Sequence, residues 1–271
     1  MPELPEVETI RNYLLPQVVG CRFTGVDLLW PELVRQPSPE EFYHRLAGQS
    51  IEDIRRRGKY LLFHLSEKER LILHLKMTGV LLLQPSPAVI EPHTRAILHL
   101  NNDADIHFQD RRKLGAMWLV EDEMTVVGKL GPEPLDDDFT ADVLEQILHR
   151  HNIPIKALLF DQNIIAGIGN MYADEALFAA GINPLMRAEH LSEGETERLH
   201  QAIRQVLMAA IGHGGASVDT YQQPNGEPGV AQFFFQVAHR RGGRCYTCHA
   251  AIERITVRGR GTYFCPRCQG D

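Results

Sequence analysis

The chain has 271 residues, 44% of them hydrophobic and 23% charged; this ordinary globular usage excludes a disordered chain, a collagen and a coiled coil. Its length gives a prior of about two domains. No window reaches the roughly 18 uninterrupted apolar residues of a membrane span. The acidic start Met1-Pro2-Glu3-Leu4-Pro5-Glu6 lacks the basic-then-apolar order of a signal peptide, so a soluble cytoplasmic protein is expected. The net charge of −7 argues against nucleic acid on average. From His239 onward, however, seven arginines face two acids, a local +5 against −12 elsewhere. A local basic patch on an acidic protein is a candidate nucleic-acid footprint.

In chain order, Glu3 to about Val18 reads as a helix: Pro5 suits a first turn, and Val7, Ile10, Leu14 and Leu15 fall at helical spacing. Cys21 lies in a strand-like apolar stretch and reads as a small buried hydrophobe. From Arg22 to Leu119 short apolar runs recur: Tyr60–Leu65, Leu71–Leu75, Val80–Leu83, Ala96–Leu100, Ile106–Phe108 and Ala116–Val120. Turn residues separate them, which predicts a two-layer β-sandwich over residues 1–128. Gly128-Lys129-Leu130-Gly131-Pro132-Glu133-Pro134, followed by Asp136, Asp137 and Asp138, predicts a linker over 129–139.

The chain then turns helical over 140–238. Thr140 can cap a helix to about Arg150, and Lys156–Phe160 is short and helical. Asn170 reads as the N-cap of a helix that Gly181 stops. Ser192-Glu193-Gly194-Glu195 is a capping box for a helix carrying Leu199, Ile203, Val206, Leu207 and Ala210 on one face. Residues 217–229 read as loop. In the last stretch, 239–271, Cys245-x2-Cys248 and Cys265-x2-Cys268 stand sixteen residues apart. Two such knuckles in a cytosolic chain point to tetrahedral zinc, and a closed four-cysteine site leaves no open position for water, so this zinc is structural.

Three motifs stand in order along the chain: Pro2-Glu3-Leu4-Pro5-Glu6-Val7-Glu8-Thr9, then Gly167-Ile168-Gly169-Asn170-Met171-Tyr172-Ala173-Asp174-Glu175, then Gly259-Arg260-Gly261-Thr262-Tyr263-Phe264-Cys265. Together they resemble the Fpg/Nei family of formamidopyrimidine-DNA glycosylases, over nearly the whole chain. The resemblance implies an α+β protein: an N-terminal β-sandwich led by a helix, a helix–two-turns–helix domain with a lesion-covering loop, and a zinc-finger β-hairpin. It implies a monomer acting on double-stranded DNA that carries damaged bases or abasic sites.

Physical chemistry supports the roles it implies. Removal of Met1 exposes the secondary amine of Pro2; an α-amine titrates near 8, so a useful fraction is neutral at pH 7 and can attack an anomeric carbon to form an iminium. The resemblance makes Pro2 that nucleophile, Glu3 a proton donor and acceptor at the sugar, Glu6 a supporting residue and Lys59 a second catalytic lysine that contacts phosphate. On residue type alone, Glu3 and Glu6 equally suit helix-dipole compensation, and Lys59 in Arg55-Arg56-Arg57-Gly58-Lys59 a solvated charge run.

Asn170 and Arg260 are implied at the phosphates flanking the lesion, Arg260 also in catalysis, with Lys113 and Lys156 among the DNA-contacting residues. A flipped base leaves a hole that side chains must fill; Met77, Arg112 and Leu114 are the implied wedges. The sequence departs from the family in three places: Leu114 stands where phenylalanine is usual, Lys76 where a small residue is usual, and Asp219 where a basic residue is usual. The reading is a bifunctional glycosylase/AP lyase for oxidised purines. The alternatives are an endonuclease VIII-like preference for oxidised pyrimidines and a non-catalytic zinc-ribbon DNA-binding protein.

Overall fold

The computed structural model describes residues 1–270. The chain forms two compact units: Met1–Lys129 with His213–Gln232, and Leu130–Gly212 with the stretch from Phe233 onward.

The first unit opens with α1 (Leu4–Val18), which buries Leu4, Val7, Ile10, Leu14 and Val18. Two sheets follow. One has the order β1-β7-β8-β6, the other β2-β9-β5-β4-β3. Their strands are β1 (Phe23–Leu28), β2 (Val34–Gln36), β3 (Ile51–Arg57), β4 (Tyr60–Leu65), β5 (Arg70–His74), β6 (Gly79–Pro85), β7 (Thr94–Leu100), β8 (Ala104–Asp110) and β9 (Ala116–Val120). Phe23, Phe63, Leu71, Leu81, Leu98, Phe108 and Met117 meet in one core with α1, as expected for a sandwich whose inward side chains come from both layers.

Two helices within this unit escape the sequence reading, α2 (Pro39–Leu46) and the single turn α3 (Met124–Val127). In α2, the Ser38 side chain caps by accepting from the Glu41 amide. Only Phe42 and Leu46 are buried, too few apolar positions to announce a period. Cys21 lies in the turn before β1, half-buried rather than within a strand. The segment 213–232, read from sequence with the helical domain, belongs to this unit. Tyr221 is 5% exposed within the sandwich core, and the Leu83 amide donates to the Pro224 carbonyl at 2.9 Å.

In the second unit the expected linker is packed. Gly131, Glu133, Pro134 and Phe139 are buried. A Cβ on Gly131 would lie 2.2 Å from the Ile164 carbonyl oxygen, so the glycine that reads as a flexible joint is a close backbone approach. Thr140 caps α4 (Ala141–His149), its hydroxyl accepting from the Val143 amide. The short α5 (Ile155–Leu159) precedes α6 (Asn170–Ala180), which ends at Gly181 with φ +70°. The N-cap of α6 is Gly169; Asn170 is the first helical residue, a correction to its reading as the cap. The capping box of α7 (Glu193–Gly212) is formed: the Ser192 amide donates to Glu195 Oε2 at 2.8 Å, and the Glu195 amide to Ser192 Oγ at 3.4 Å. The chain closes with the hairpin β10 (Glu253–Val257) and β11 (Arg260–Phe264). Arg258 and Gly259 turn between them at φ +45° and +78°, the left-handed pair that a two-residue hairpin needs.

Candidate active site and nucleic-acid interface

Pro2 and Glu3 immediately precede α1, and both are buried. The Glu3 amide donates to Glu6 Oε2 at 2.7 Å, while Glu6 Oε1 accepts from the Ala216 amide at 2.8 Å. Glu6, with no exposed surface, therefore joins the start of the chain to a segment more than 200 residues away. Gly215, at φ +77°, permits this: a Cβ there would stand 2.9 Å from the Tyr221 ring and 3.0 Å from the Glu6 side chain. The Tyr221 hydroxyl donates to the Gly214 carbonyl at 3.1 Å. Burial, then the Glu6 charge, push its titration far above the usual phenol value. Glu6 thus shapes the N-terminal turn by hydrogen bonding. Lys59 sits in the β3–β4 turn after Gly58 (φ +55°) and is 6% exposed, so it is not part of a solvated charge run.

Two adjacent loops carry the wedge candidates. Met77 is half-buried between β5 and β6; Arg112, Lys113 and Leu114 are exposed between β8 and β9. One carboxylate, Asp110, with no exposed surface, organises both. Its Oδ1 accepts from Thr78 Oγ1 at 2.5 Å and from the Arg112 amide at 3.1 Å; its Oδ2 accepts from the amides of Leu114 and Gly115 at 2.6 and 2.7 Å. The Arg112 amide also reaches Thr78 Oγ1 at 3.2 Å. Gly115 packs where a Cβ would strike the Phe108 ring at 2.7 Å.

On the Met77 side, the Lys76 amide donates to His74 Nδ1 at 2.9 Å. Nδ1 is therefore an unprotonated acceptor. Burial, then the charges of Lys76 and Lys59, hold the His74 imidazole down to about 3. Lys76 adopts φ +53°, a left-handed backbone that glycine, lacking Cβ, accepts more readily than lysine. Burial and Arg35 push its own ammonium below the ordinary lysine value. Nearby, Arg111 and Asp219 approach to 3.8 Å, both more than half exposed. They border a cavity of about 570 Å³ lined also by Thr78, Asp110, Thr220 and Tyr221.

In the second unit, Asn170 Nδ2 donates to the Gly261 carbonyl at 2.8 Å. This joins the start of α6 to the strand that Arg260 opens. Arg260 is exposed. Lys156, expected among DNA-contacting side chains, has no exposed side-chain surface. Its Nζ donates to Asp174 Oδ1 at 2.6 Å and to the Asn170 carbonyl at 2.5 Å; burial hides its charge from a partner. Asp174 Oδ2 accepts from the Tyr263 amide at 3.1 Å. Burial lifts the Asp174 carboxyl to about 6 against the pull of Lys156. Glu175 accepts the amides of Gln236, Val237 and Ala238 at 2.8–2.9 Å and so fixes the approach to the finger. Asp110, Thr78, Asp174 and Glu175 are organising residues that the sequence reading missed. Each is a polar residue within or beside a motif, and nothing local marks it as buried.

The four cysteine sulfurs lie within 4.8 Å of one another, with Cys245–Cys268 at 3.8 Å and Cys248–Cys265 at 3.3 Å. Sulfurs about 2.3 Å from a tetrahedral zinc are about 3.8 Å apart, so the set fits one zinc ion. Cys245 and Cys265 are fully buried, and the Cys268 amide points at Cys265 Sγ at 3.4 Å. All four ligands are protein thiolates, which makes the zinc structural.

A sandwich, a helical unit with the Gly-Ile-Gly-Asn turn, and a four-cysteine finger in one chain define a helix–two-turns–helix zinc-finger protein of the DNA-glycosylase class. Family models agree. Residues 1–117 match the formamidopyrimidine-DNA glycosylase N-terminal domain, 130–222 its H2TH domain, and 242–270 the zinc finger found in FPG and IleRS. Formamidopyrimidine-DNA glycosylases of Pelotomaculum thermopropionicum and Geobacillus kaustophilus are 43% and 41% identical, covering 99% of this chain and 99% and 100% of theirs. Among solved structures, a Lactococcus lactis FPG mutant in complex with Fapy-dG-containing DNA is similar at TM-score 0.93 and 36% identity, over 100% of both chains. MutM (FPG) from Thermus thermophilus is similar at TM-score 0.89 and 41% identity, over 100% of this chain and 99% of that one. The chain belongs to the formamidopyrimidine-DNA glycosylase family. No helix among the described residues is long and apolar enough to cross a membrane.

Proposed function

We propose that this protein is a bifunctional DNA glycosylase and AP lyase of base-excision repair, acting as a cytoplasmic monomer on duplex DNA bearing oxidised purines. The observation that carries the reading is the family match along the whole chain together with an intact Pro2-Glu3 pair at the head of α1. After Met1 is removed, the Pro2 amine attacks deoxyribose C1′ and the C1′–N bond to the damaged base breaks. The base leaves with a proton; the C1′–O4′ bond then breaks as O4′ takes a proton from Glu3, the sugar ring opens, and a C1′ iminium to Pro2 remains. Loss of a C2′ proton then expels the 3′ phosphate, and a second elimination expels the 5′ phosphate. Water hydrolyses the iminium and frees the amine. Glu3 moves the protons at the sugar; Glu6 holds the turn; Lys59 neutralises a phosphate.

Met77, Arg112 and Leu114 fill the space the base vacates, with Lys113 beside them. Asn170 and Arg260 hold the flanking phosphates, and Lys156 acts from behind Asn170. The cavity bordered by Arg111 and Asp219 is where we seat the base, since pockets of this volume take small ligands. Borohydride reduction with an 8-oxoguanine or abasic duplex should trap a covalent adduct that maps to Pro2. If Pro2→Gly protein were trapped through a lysine at unchanged yield, the nucleophile would be misassigned.

A further inference from the structure

Two carboxylates and one guanidinium line the cavity of about 570 Å³ beside the wedge loops: Asp110, Asp219 and Arg111. Asp110 engages both oxygens with Thr78 and the loop amides. Arg111 and Asp219 are differently placed. Among the described residues the side chain of each has one polar partner, the other, with Nη2 and Oδ1 3.8 Å apart. At that distance the two form an ion pair without a hydrogen bond. The guanidinium keeps its N–H donors and the carboxylate its lone pairs. Both side chains are more than half exposed, so these groups stand where the cavity meets solvent. Exposed pairs hold their members weakly, and either can turn to a ligand of better geometry.

We propose that Arg111 and Asp219 read the flipped base by its Watson–Crick edge and select guanine-derived over adenine-derived lesions. The inference rests on the seating of the base in this cavity argued above. Flipped bases are read by hydrogen bonds to that edge. A guanine edge offers the O6 acceptor beside two neighbouring donors, N1–H and N2–H. The Asp219 carboxylate can accept from both donors as a bidentate pair, and Arg111, kept at its side by charge, can donate to O6. The formamidopyrimidine formed from guanine retains all three groups, because opening the imidazole leaves the six-membered ring intact. The one formed from adenine presents an amine in place of O6 and a bare ring nitrogen in place of N1–H. Donor then meets donor at Arg111, and lone pair meets lone pair at Asp219. Val80, Pro92 and Pro228 line the same cavity; their apolar contacts suit the plane of either base and do not discriminate.

The test uses the zinc-loaded full chain and two duplexes that differ only in the lesion, the guanine-derived or the adenine-derived formamidopyrimidine. Single-turnover excision is followed at enzyme concentrations below half-saturation, so that seating and chemistry both count. A bidentate base contact discriminates by roughly five- to 150-fold, so the parent protein should prefer the guanine-derived lesion by at least about fivefold. Asp219→Asn, which keeps the shape but turns one acceptor into a donor, should remove most of that preference by slowing the guanine-derived lesion. Asp219→Glu should retain most of it, and Arg111→Leu should lower it. Cleavage at a pre-formed abasic site, with no base to read, should fall less in each variant. Brisk excision with no preference in the parent, or with the same preference in Asp219→Asn, would overturn the inference alone. So would equal slowing of both lesions, which would leave the pair as a latch between two loops. A parent protein that excised neither lesion and cleaved no abasic site would overturn the glycosylase reading and this inference with it.

Discussion

Asp110→Asn tests whether one buried carboxylate holds the two wedge loops as a unit. The substitution keeps the shape of the side chain and replaces one acceptor oxygen by an NH2 donor. Whichever way the amide turns, the nitrogen faces two donors: Thr78 Oγ1 and the Arg112 amide, or the amides of Leu114 and Gly115. Hydrogen bonds to a charged group contribute about 1.5–3 kcal/mol each, and buried donors left unmet add their own cost. Two lost bonds, partly relieved by hydroxyl rotation and loop relaxation, give an expected destabilisation of about 3–5 kcal/mol for the first unit. That is comparable with breaking other buried charged networks. Urea unfolding reads it directly. Single-turnover rates read its functional face. Excision from a lesion duplex, which needs the vacated space filled, should fall at least tenfold; cleavage at a pre-formed abasic site should fall less. A loss under about 1 kcal/mol with unchanged excision would refute the role given to Asp110.

Three further outcomes follow from the geometry. Arg260→Ala should cost about 1.5–3 kcal/mol of affinity and weaken lesion duplex more than undamaged duplex in paired titrations at two salt concentrations; equal losses would make it a generic phosphate contact. Cys248→Ser should abolish zinc by metal analysis, with the loss of on the order of 10 kcal/mol that structural zinc gives small folds, and weaken DNA binding while the sandwich stays folded; full affinity in zinc-free protein would contradict this. His74, held down to about 3 by burial and two lysines, titrates in the unfolded chain near 6.5. Its contribution to stability is complete above about pH 6.5 and declines as pH falls toward 3, by about 2 kcal/mol at pH 5. His74→Asn, which keeps an acceptor for the Lys76 amide, should flatten that slope in urea unfolding between pH 7 and 5, by an amount that approaches one proton at pH 5, and an unchanged slope would show that another group carries it.

The strands of the sandwich were legible because burial on one face prints itself as apolar residues bounded by turns. Tyr60–Leu65 and Ala116–Val120 run as read from sequence. β8 extends beyond its apolar centre Ile106–Phe108 to Asp110, because a strand ends where its hydrogen bonds end. The four cysteines were legible because metal geometry constrains spacing. Asp110 was not: an aspartate before Arg111-Arg112-Lys113 reads as one more surface charge, and only the fold shows that backbone amides surround it. Lys156 is the mirror case, a cation whose fully buried partner lies eighteen residues on. Composition misleads at 129–139, where glycine and proline serve tight packing as well as freedom. The role of Asn170 turns on one residue of register, because Gly169 takes the extended conformation that an N-cap requires.

The return of residues 213–232 to the first unit has a consequence for how the protein can be made and cut. The polypeptide passes from one unit to the other three times, after Lys129, Gly212 and Gln232, so neither unit corresponds to a single uninterrupted stretch of gene. A fragment stopping at Lys129 would lack the Ala216 amide that Glu6 holds and the Tyr221 ring that completes the sandwich core. One beginning at Leu130 would carry those twenty residues with nothing to pack against. Exchange of modules between relatives therefore has to move two inserts together, and a single protease nick near residue 213 or 232 would leave fragments still associated through their own unit's core.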